Sequence, residues 1–173
     1  MNTDSGQAKR PVNAVLAGPY GHPFHPILVT VPIGAWVASL IFDVGSRIVD
    51  DPAFLAQGAR WLIAIGVLGA LVAAAVGLLD LLAIPTGTPA FRTGLVHMGL
   101  NLVVTIAFAI GFWWRASEVY GPVPVGQLVL SAVSLAVLGA SGYLGGKLAY
   151  HYGVRVADET TQAAGFRRDT PLH

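Results

Sequence analysis

The sequence WLIAIGVLGALVAAAVGLL, residues 61–79, contains no Asp, Glu, Lys or Arg. A helix that crosses a bilayer needs about 20 mostly apolar residues, and this stretch supplies them. Three further stretches of the same character cover residues 25–42, 93–114 and 119–146. Four such stretches in one short chain leave no polar shell that would cover them in a soluble protein. The sequence therefore predicts membrane-spanning helices at about residues 26–48, 61–84, 93–114 and 125–150.

The composition agrees with a membrane protein and excludes several functions. Apolar residues make up 54% of the chain and charged residues 11%, whereas a soluble domain carries roughly a quarter charged residues. The net charge of +1 gives no basic field that would attract nucleic acid. The chain has no cysteine, which excludes disulfides, thiolate ligands and iron–sulfur ligation by this protein. Any metal or haem must be held by His, Asp, Glu, Met or Tyr.

Turn residues separate the four stretches and set their order. Each connection contains Pro, which follows two Asp at residues 50–52 and is accompanied by Gly at residues 85–89 and 121–124. Short reversals make consecutive helices antiparallel, so the sequence predicts an all-α, four-helix membrane bundle with both termini on one side. We call that side the terminal face. The bundle is expected at residues 21–156, between a non-inserted N-terminal tail, residues 1–20, and a polar C-terminal tail, residues 157–173. Pro32 should kink the first helix, because it frees the carbonyl of Leu28.

The basic residues predict the orientation in the membrane. The opposite face receives Arg47, Arg60 and Arg115, while the terminal face receives seven basic residues: Lys9, Arg10, Arg92, Lys147, Arg155, Arg167 and Arg168. Basic residues are enriched on the cytoplasmic side of membrane proteins. We therefore expect a multi-pass protein of the bacterial inner (plasma) membrane with both termini in the cytoplasm. Trp61, Trp113 and Trp114 fall at the opposite face, as an interfacial aromatic belt would.

Histidines gather at the terminal face. His22 and His25 precede the first helix, His97 lies one turn into the third, and His151 ends the fourth; Asp80 is one turn before the end of the second. Ionisable groups in a membrane are costly and often functional. One interpretation is a haem b site, with His25, His97 and His151 as candidate axial ligands. The other is a Zn, Cu or Fe site with ligands from the whole group: His22, His25, Asp80, His97 and His151.

Structural roles for the same residues are the alternative. Asp80 would then pair with Arg92 or Lys147, and Asp43 with Arg47 one turn on. On the third helix, His97, Asn101 and Thr105 form one polar stripe that should face the bundle interior. Small residues four apart in the second and fourth helices allow close helix packing; they are Gly69, Ala73, Gly77, Gly142 and Gly146. These features suit a membrane scaffold or accessory subunit without a cofactor. A small transporter or proton path is the third interpretation.

The motifs around these residues resemble a bacterial family of four-helix membrane domains classed as domain of unknown function 2231. That family opens with Gly-His-Pro-x-His-Pro, here residues 21–26. It carries an Asp late in the second helix, here Asp80, and an Ile-Pro-x-Gly-Thr-Pro-Ala reversal, here residues 84–90. The third helix begins with Arg-Thr-Gly-x-x-His, here residues 92–97. The resemblance covers roughly residues 18–156 and implies the four-helix fold.

Some relatives in that family carry a Rieske-type iron–sulfur domain after the fourth helix, which implies electron transfer at the terminal face. This chain has no cysteine and ends soon after the fourth helix, so an iron–sulfur partner would be a separate protein. The expected function is electron transfer by a membrane subunit, and not a stand-alone enzyme. Besides the lipid bilayer, its expected partners are a separate redox protein or respiratory complex and further copies of itself.

Overall fold

The computed structural model describes residues 3–10, 17–117 and 121–166. Within these residues there are seven α-helices and no strand: α1 (Thr3–Ala8), α2 (His25–Leu28), α3 (Thr30–Gly45), α4 (Ala53–Leu82), α5 (Pro89–Trp114), α6 (Val125–Tyr150) and α7 (Glu159–Ala164). Among the described residues, four spans are long and apolar enough to cross a membrane: His25–Gly45, which joins α2 and α3, and the helices α4, α5 and α6. The predicted all-α membrane bundle is confirmed.

The first span is interrupted where the sequence predicted a kink. The α2 and α3 segments meet at Val29, three residues before Pro32. Pro32 has no N–H, so the carbonyl of Leu28 loses its helical donor and the hydrogen-bond ladder is interrupted there, while Val29 keeps a helical conformation. The hydroxyl of Thr30 donates to the carbonyl of Ile27 at 2.6 Å and satisfies one acceptor beside the break. Pro32 therefore accounts for the interruption between α2 and α3.

Two predicted helix boundaries were wrong at the N-terminal end. Helix α4 begins at Ala53 rather than near residue 61, because its first turns carry Gln57 and Arg60 and extend beyond the apolar stretch. Helix α5 begins at Pro89 rather than residue 93, because the hydroxyl of Thr88 caps it by accepting from the N–H of Phe91 at 3.1 Å. Inside the two predicted tails, the short helices α1 and α7 were not expected. Arg167 and Arg168 lie outside the described residues.

The four spans pack in a ring around one core. Each packs against its neighbours along the chain, and α6 closes the ring against α3. The core cluster consists of Trp36, Ile63, Val104 and Phe108. Large apolar side chains also point outwards; Ile48, Phe54 and Trp113 are all more than 70% exposed. An apolar exterior of this extent suits a protein surrounded by lipid.

The two halves of the bundle repeat one another. Three residues of the first span contact the residues 72 positions later, in α5 or directly after it: His25 contacts His97, Trp36 contacts Phe108, and Asp43 contacts Arg115. Only residues beside a twofold axis meet their own counterparts. The two spans run in the same direction, so the approximate axis is parallel to the helices. Glycines of α4 and α6 repeat as well: Gly58 lies against Phe42 as Gly126 lies against Trp114.

Candidate functional site

His25 is held between the first span and α4. Its Nδ1 lies 2.9 Å from the carbonyl oxygen of Ala73, one of the small residues predicted to allow close packing. The ring lies over Gly77, where a Cβ atom would come within 2.8 Å of the imidazole Cε1. Because a carbonyl only accepts, Nδ1 carries the proton in this contact. The tautomer leaves the lone pair on Nε2.

His97 is held in the same way in the other half. Its Nδ1 donates to the carbonyl oxygen of Ser141 at 2.8 Å, and its ring lies against Gly145. The side-chain amide of Asn101 donates to the carbonyl of His97 and to the hydroxyl of Ser141, both at 2.8 Å. That amide nitrogen is also 3.2 Å from Nε2 of His97. The prediction that His97 and Asn101 face the bundle interior is confirmed.

The two imidazoles lie side by side on the repeat axis. Their ring centres are 6.4 Å apart and their planes are 82° from parallel. Histidines that bind metals usually donate the second ring nitrogen to a carbonyl, which fixes the tautomer and leaves the other nitrogen for the metal. Both His25 and His97 have this arrangement. Each ring thus keeps a lone pair on Nε2, and that of His97 is within hydrogen-bonding distance of the Asn101 amide.

Asp80 lies beside the pair and has an unexpected partner. Arg155, in the segment after α6, places its Nε 3.0 Å from a carboxylate oxygen of Asp80. The predicted pairing of Asp80 with Arg92 or Lys147 was wrong. Asp80 is also close enough to His25 to interact with it electrostatically. It is one helical turn beyond Gly77, so the carboxylate lies on the terminal-face side of the His25 ring.

His151 and His22 have other surroundings. His151 follows the end of α6, is exposed, and contacts the ring of Tyr152 with centres 4.8 Å apart. It lines a surface pocket of about 410 Å³ together with Lys9 and Glu159. His22 closes a turn, with its carbonyl accepting from the N–H of Gly18 at 3.0 Å. Across the described ranges, no three His, Asp or Glu side chains are placed to hold one metal ion.

The N-terminal and C-terminal segments meet on the terminal face. Lys9 forms an ion pair with Glu159 at 2.8 Å, and this hydrogen bond lowers the pKa of Glu159. Asp158 caps α7 by accepting from the N–H of Thr161 at 2.9 Å, which lowers the pKa of Asp158. The N–H of Arg155 donates to the carbonyl of Ala8 at 3.0 Å. Residues outside the spans therefore hold the segment that carries Arg155.

A buried ion pair lies at the other end of the axis. Arg115 donates from Nη2 to a carboxylate oxygen of Asp43 at 2.5 Å, and Ser131 lies within 3.2 Å of both. Both charged side chains are at most 3% exposed. The predicted Asp43–Arg47 pair was wrong; Arg47 instead donates to the carbonyl of Val123 at 2.8 Å. Asp43 follows His25 by the same number of residues as Arg115 follows His97. This internal repeat is the sequence pattern that would have predicted the contact between Asp43 and Arg115.

The comparisons with known proteins agree with the fold. Residues 21–158 match the family described as "Predicted membrane protein (DUF2231)", and the match spans all four membrane helices. No curated protein and no solved structure matches the chain. The matched region is most of the 173 residues and contains both His25 and His97. The chain thus belongs to the DUF2231 family of predicted membrane proteins.

Proposed function

We propose that this protein is an electron-transfer protein of the membrane, in which His25 and His97 bind one redox-active metal centre. The separation of the two rings is the observation that carries the proposal. Two imidazoles that share a metal at about 2.0–2.1 Å from each nitrogen have ring centres about 6 Å apart. The ring centres of His25 and His97 are 6.4 Å apart. Binding of one metal by both rings would require Nε2 of His97 to exchange its Asn101 contact for the metal.

Haem b is the centre that the ligand set fits best. His25 and His97 would supply the two ligands that haem iron takes from a protein, and reversible one-electron chemistry at that iron would provide the electron transfer. A bare Zn, Cu or Fe ion usually takes three or four protein ligands. In the described part of the chain, no third carboxylate or imidazole joins the pair in such a group. The protein side chains hold and orient the centre through the Nδ1 bonds to Ala73 and Ser141.

The site suggests where the electrons would enter and leave. The pair lies near the terminal face, where the sequence concentrates basic residues. We propose that the termini are in the bacterial cytoplasm and that a separate redox protein docks on that side. The excess of Lys and Arg supports this orientation. A docking partner with an acidic surface would complement such a face.

The test is a visible spectrum of the detergent-purified protein, oxidised and dithionite-reduced, with metal analysis of the same sample. The expected result is a Soret band that shifts on reduction, lost in both His25→Ala and His97→Ala. His151→Ala is the matched control, because His151 is exposed and lies in a separate pocket. One metal ion per chain without a Soret band would mean that His25 and His97 bind a metal ion and not haem. A colourless, metal-free protein, made with haem and metals supplied, would overturn the proposal.

A scaffold or accessory subunit is the second candidate, and the same two hydrogen bonds favour it. His25 joins the first span to α4, and His97 joins α5 to α6, so each imidazole also acts as an interhelical contact. Such bonds contribute about 0.6–2 kcal/mol each in membranes. If the protein is a scaffold, His25→Ala and His97→Ala lower the stability of the bundle, and neither variant changes a cofactor content. The two candidates are therefore separated by the spectrum and metal content of the wild-type protein.

A further inference from the structure

The segment that follows α6 crosses the terminal end of the axis. We call residues 151–156 the strap. The strap begins at the end of α6, where the N–H of Val154 donates to the carbonyl of Leu148 at 3.0 Å. Leu148 is one turn beyond Gly145, against which the His97 ring lies. At its other end, Arg155 pairs with Asp80, one turn beyond Gly77 and the His25 ring. The strap thus connects α6 and α4 about one turn beyond the two glycines against which the imidazoles lie.

Arg155 is held in a strained conformation by two contacts. Its φ of 58° lies in the left-handed region, which L-residues other than glycine rarely adopt. Its N–H donates to the carbonyl of Ala8 at 3.0 Å, and its side chain, 6% exposed, lies 3.0 Å from Asp80. Such strain persists only where surrounding contacts maintain it. Loss of the Asp80 contact therefore favours release of the strap.

The other end of the axis is sealed more firmly. Trp36 and Phe108 stack across it, each 2% exposed, and the Asp43–Arg115 pair lies beyond them. A ligand entering from the opposite face would have to separate both layers. At the terminal end, the strap crosses from α6 to α4 and is tied to α4 by the Arg155–Asp80 pair. The low-cost route to His25 and His97 is thus under the strap.

We propose that the strap is a gate that controls access to the His25–His97 site, with the Arg155–Asp80 pair as its latch. The proposal rests on the proposed function only for the identity of what enters, a haem or a metal ion. Opening would break the ion pair and the Arg155–Ala8 hydrogen bond and relax the left-handed residue. Gly153, with a φ of 69°, provides the flexible position within the strap.

The chain contains no cysteine, so a single introduced thiol reports access without interference. Ser141→Cys places a thiol at a fully buried position whose hydroxyl is 3.0 Å from Nδ1 of His97. Ser39→Cys is the matched control, since Ser39 is equally buried but lies beyond the aromatic stack. The rate of labelling by a membrane-impermeant maleimide is measured in detergent micelles, in metal-free protein, with and without Arg155→Ala. The same thiol is compared in each pair, so its intrinsic reactivity cancels.

The expected result is that Arg155→Ala raises labelling of Cys at position 141 at least roughly tenfold and leaves position 39 unchanged. Glu159→Gln removes the Lys9 ion pair, which is exposed on the Glu159 side and worth little, so it should raise the rate at position 141 much less than Arg155→Ala. Equal acceleration at both positions, or none at position 141, would overturn the gate. If Arg155→Ala does not fold, Asp80→Asn is used in its place, because it breaks the same ion pair. Because this readout needs no bound metal, its failure is distinct from failure of the spectrum.

Discussion

Trp36 and Phe108 occupy equivalent positions in the two halves of the bundle and stack on each other, with ring centres 4.3 Å apart and planes 9° from parallel. A residue meets its own counterpart only next to a twofold axis, so the approximate axis passes between these two rings. The indole N–H of Trp36 also donates to the carbonyl of Ile63 at 3.3 Å. The stack divides the axis into a histidine end and an ion-pair end.

The stack should therefore be a main source of bundle stability. We expect Trp36→Ala and Phe108→Ala each to lower the free energy of unfolding by about 2 kcal/mol or more, because each leaves a cavity that its partner cannot fill. Trp36→Phe should cost less than Trp36→Ala, since an aromatic ring remains against Phe108 and only the indole N–H bond to Ile63 and part of the volume are lost. Denaturing-detergent titration of the purified protein measures all three. Equal losses for Trp36→Ala and Trp36→Phe would show that the stack contributes little.

The ion pair allows a test of the repeat itself. Asp43→Asn or Arg115→Gln leaves the other group buried without its partner, which costs about 3–5 kcal/mol. Because the two residues occupy equivalent positions, the exchange Asp43→Arg with Arg115→Asp places each charge where the other was. We expect the double variant to recover at least about half of the lost unfolding free energy in the same titration. If the double variant is no more stable than the less stable of the two single variants, the twofold relationship is contradicted.

The sequence predicted the elements with strong local patterns. The apolar stretches gave the four spans, the turn residues gave their antiparallel order, and Pro32 gave the break in the first span. Helix ends were less predictable, because Gln57 and Arg60 are polar yet continue α4. An apolar stretch predicts the part of a helix that lies in the lipid. The helix itself continues through the membrane interface until a cap or a turn ends it.

The site was predicted in part, for a similar reason. His25, His97 and Asp80 were placed at one face because depth in the membrane follows from position along each helix. Their partners depend on which sides of the helices face one another, and no local pattern contains that information. Asp80 thus pairs with Arg155, and Asp43 with Arg115, instead of with near neighbours. In the sequence, the repeat is visible as three equally spaced pairs, of which only His25 and His97 are of the same residue type.

Helix α7 should respond to pH through its cap. The N–H and the hydroxyl of Thr161 donate to the carboxylate of Asp158 and lower its pKa in the folded protein. A lowered pKa adds stability above the ordinary value of about 3.9, and this stability is lost as the pH falls through the folded value. The Thr161 amide resonance, followed by NMR from pH 6 downwards, should therefore shift below pH of about 4. Asp158→Asn keeps a cap without a charge and should remove the transition; its persistence would assign the effect elsewhere.

The glycines beneath the imidazoles should be required for the site. A Cβ atom at position 77 would lie 2.8 Å from Cε1 of His25, and one at position 145 would lie 3.1 Å from Cε1 of His97. Gly77→Ala should therefore displace its ring more than Gly145→Ala, break the bond to Ala73, and lower the unfolding free energy by roughly 1–3 kcal/mol. Metal or haem content per chain should fall in the same order.

Gly142→Ala is the control, since a Cβ atom there meets nothing within 4 Å, and alanine in a helix is favourable by up to about 1 kcal/mol. A loss at Gly142→Ala as large as that at Gly77→Ala would mean that the substitution perturbs the helix backbone and not the histidine ring.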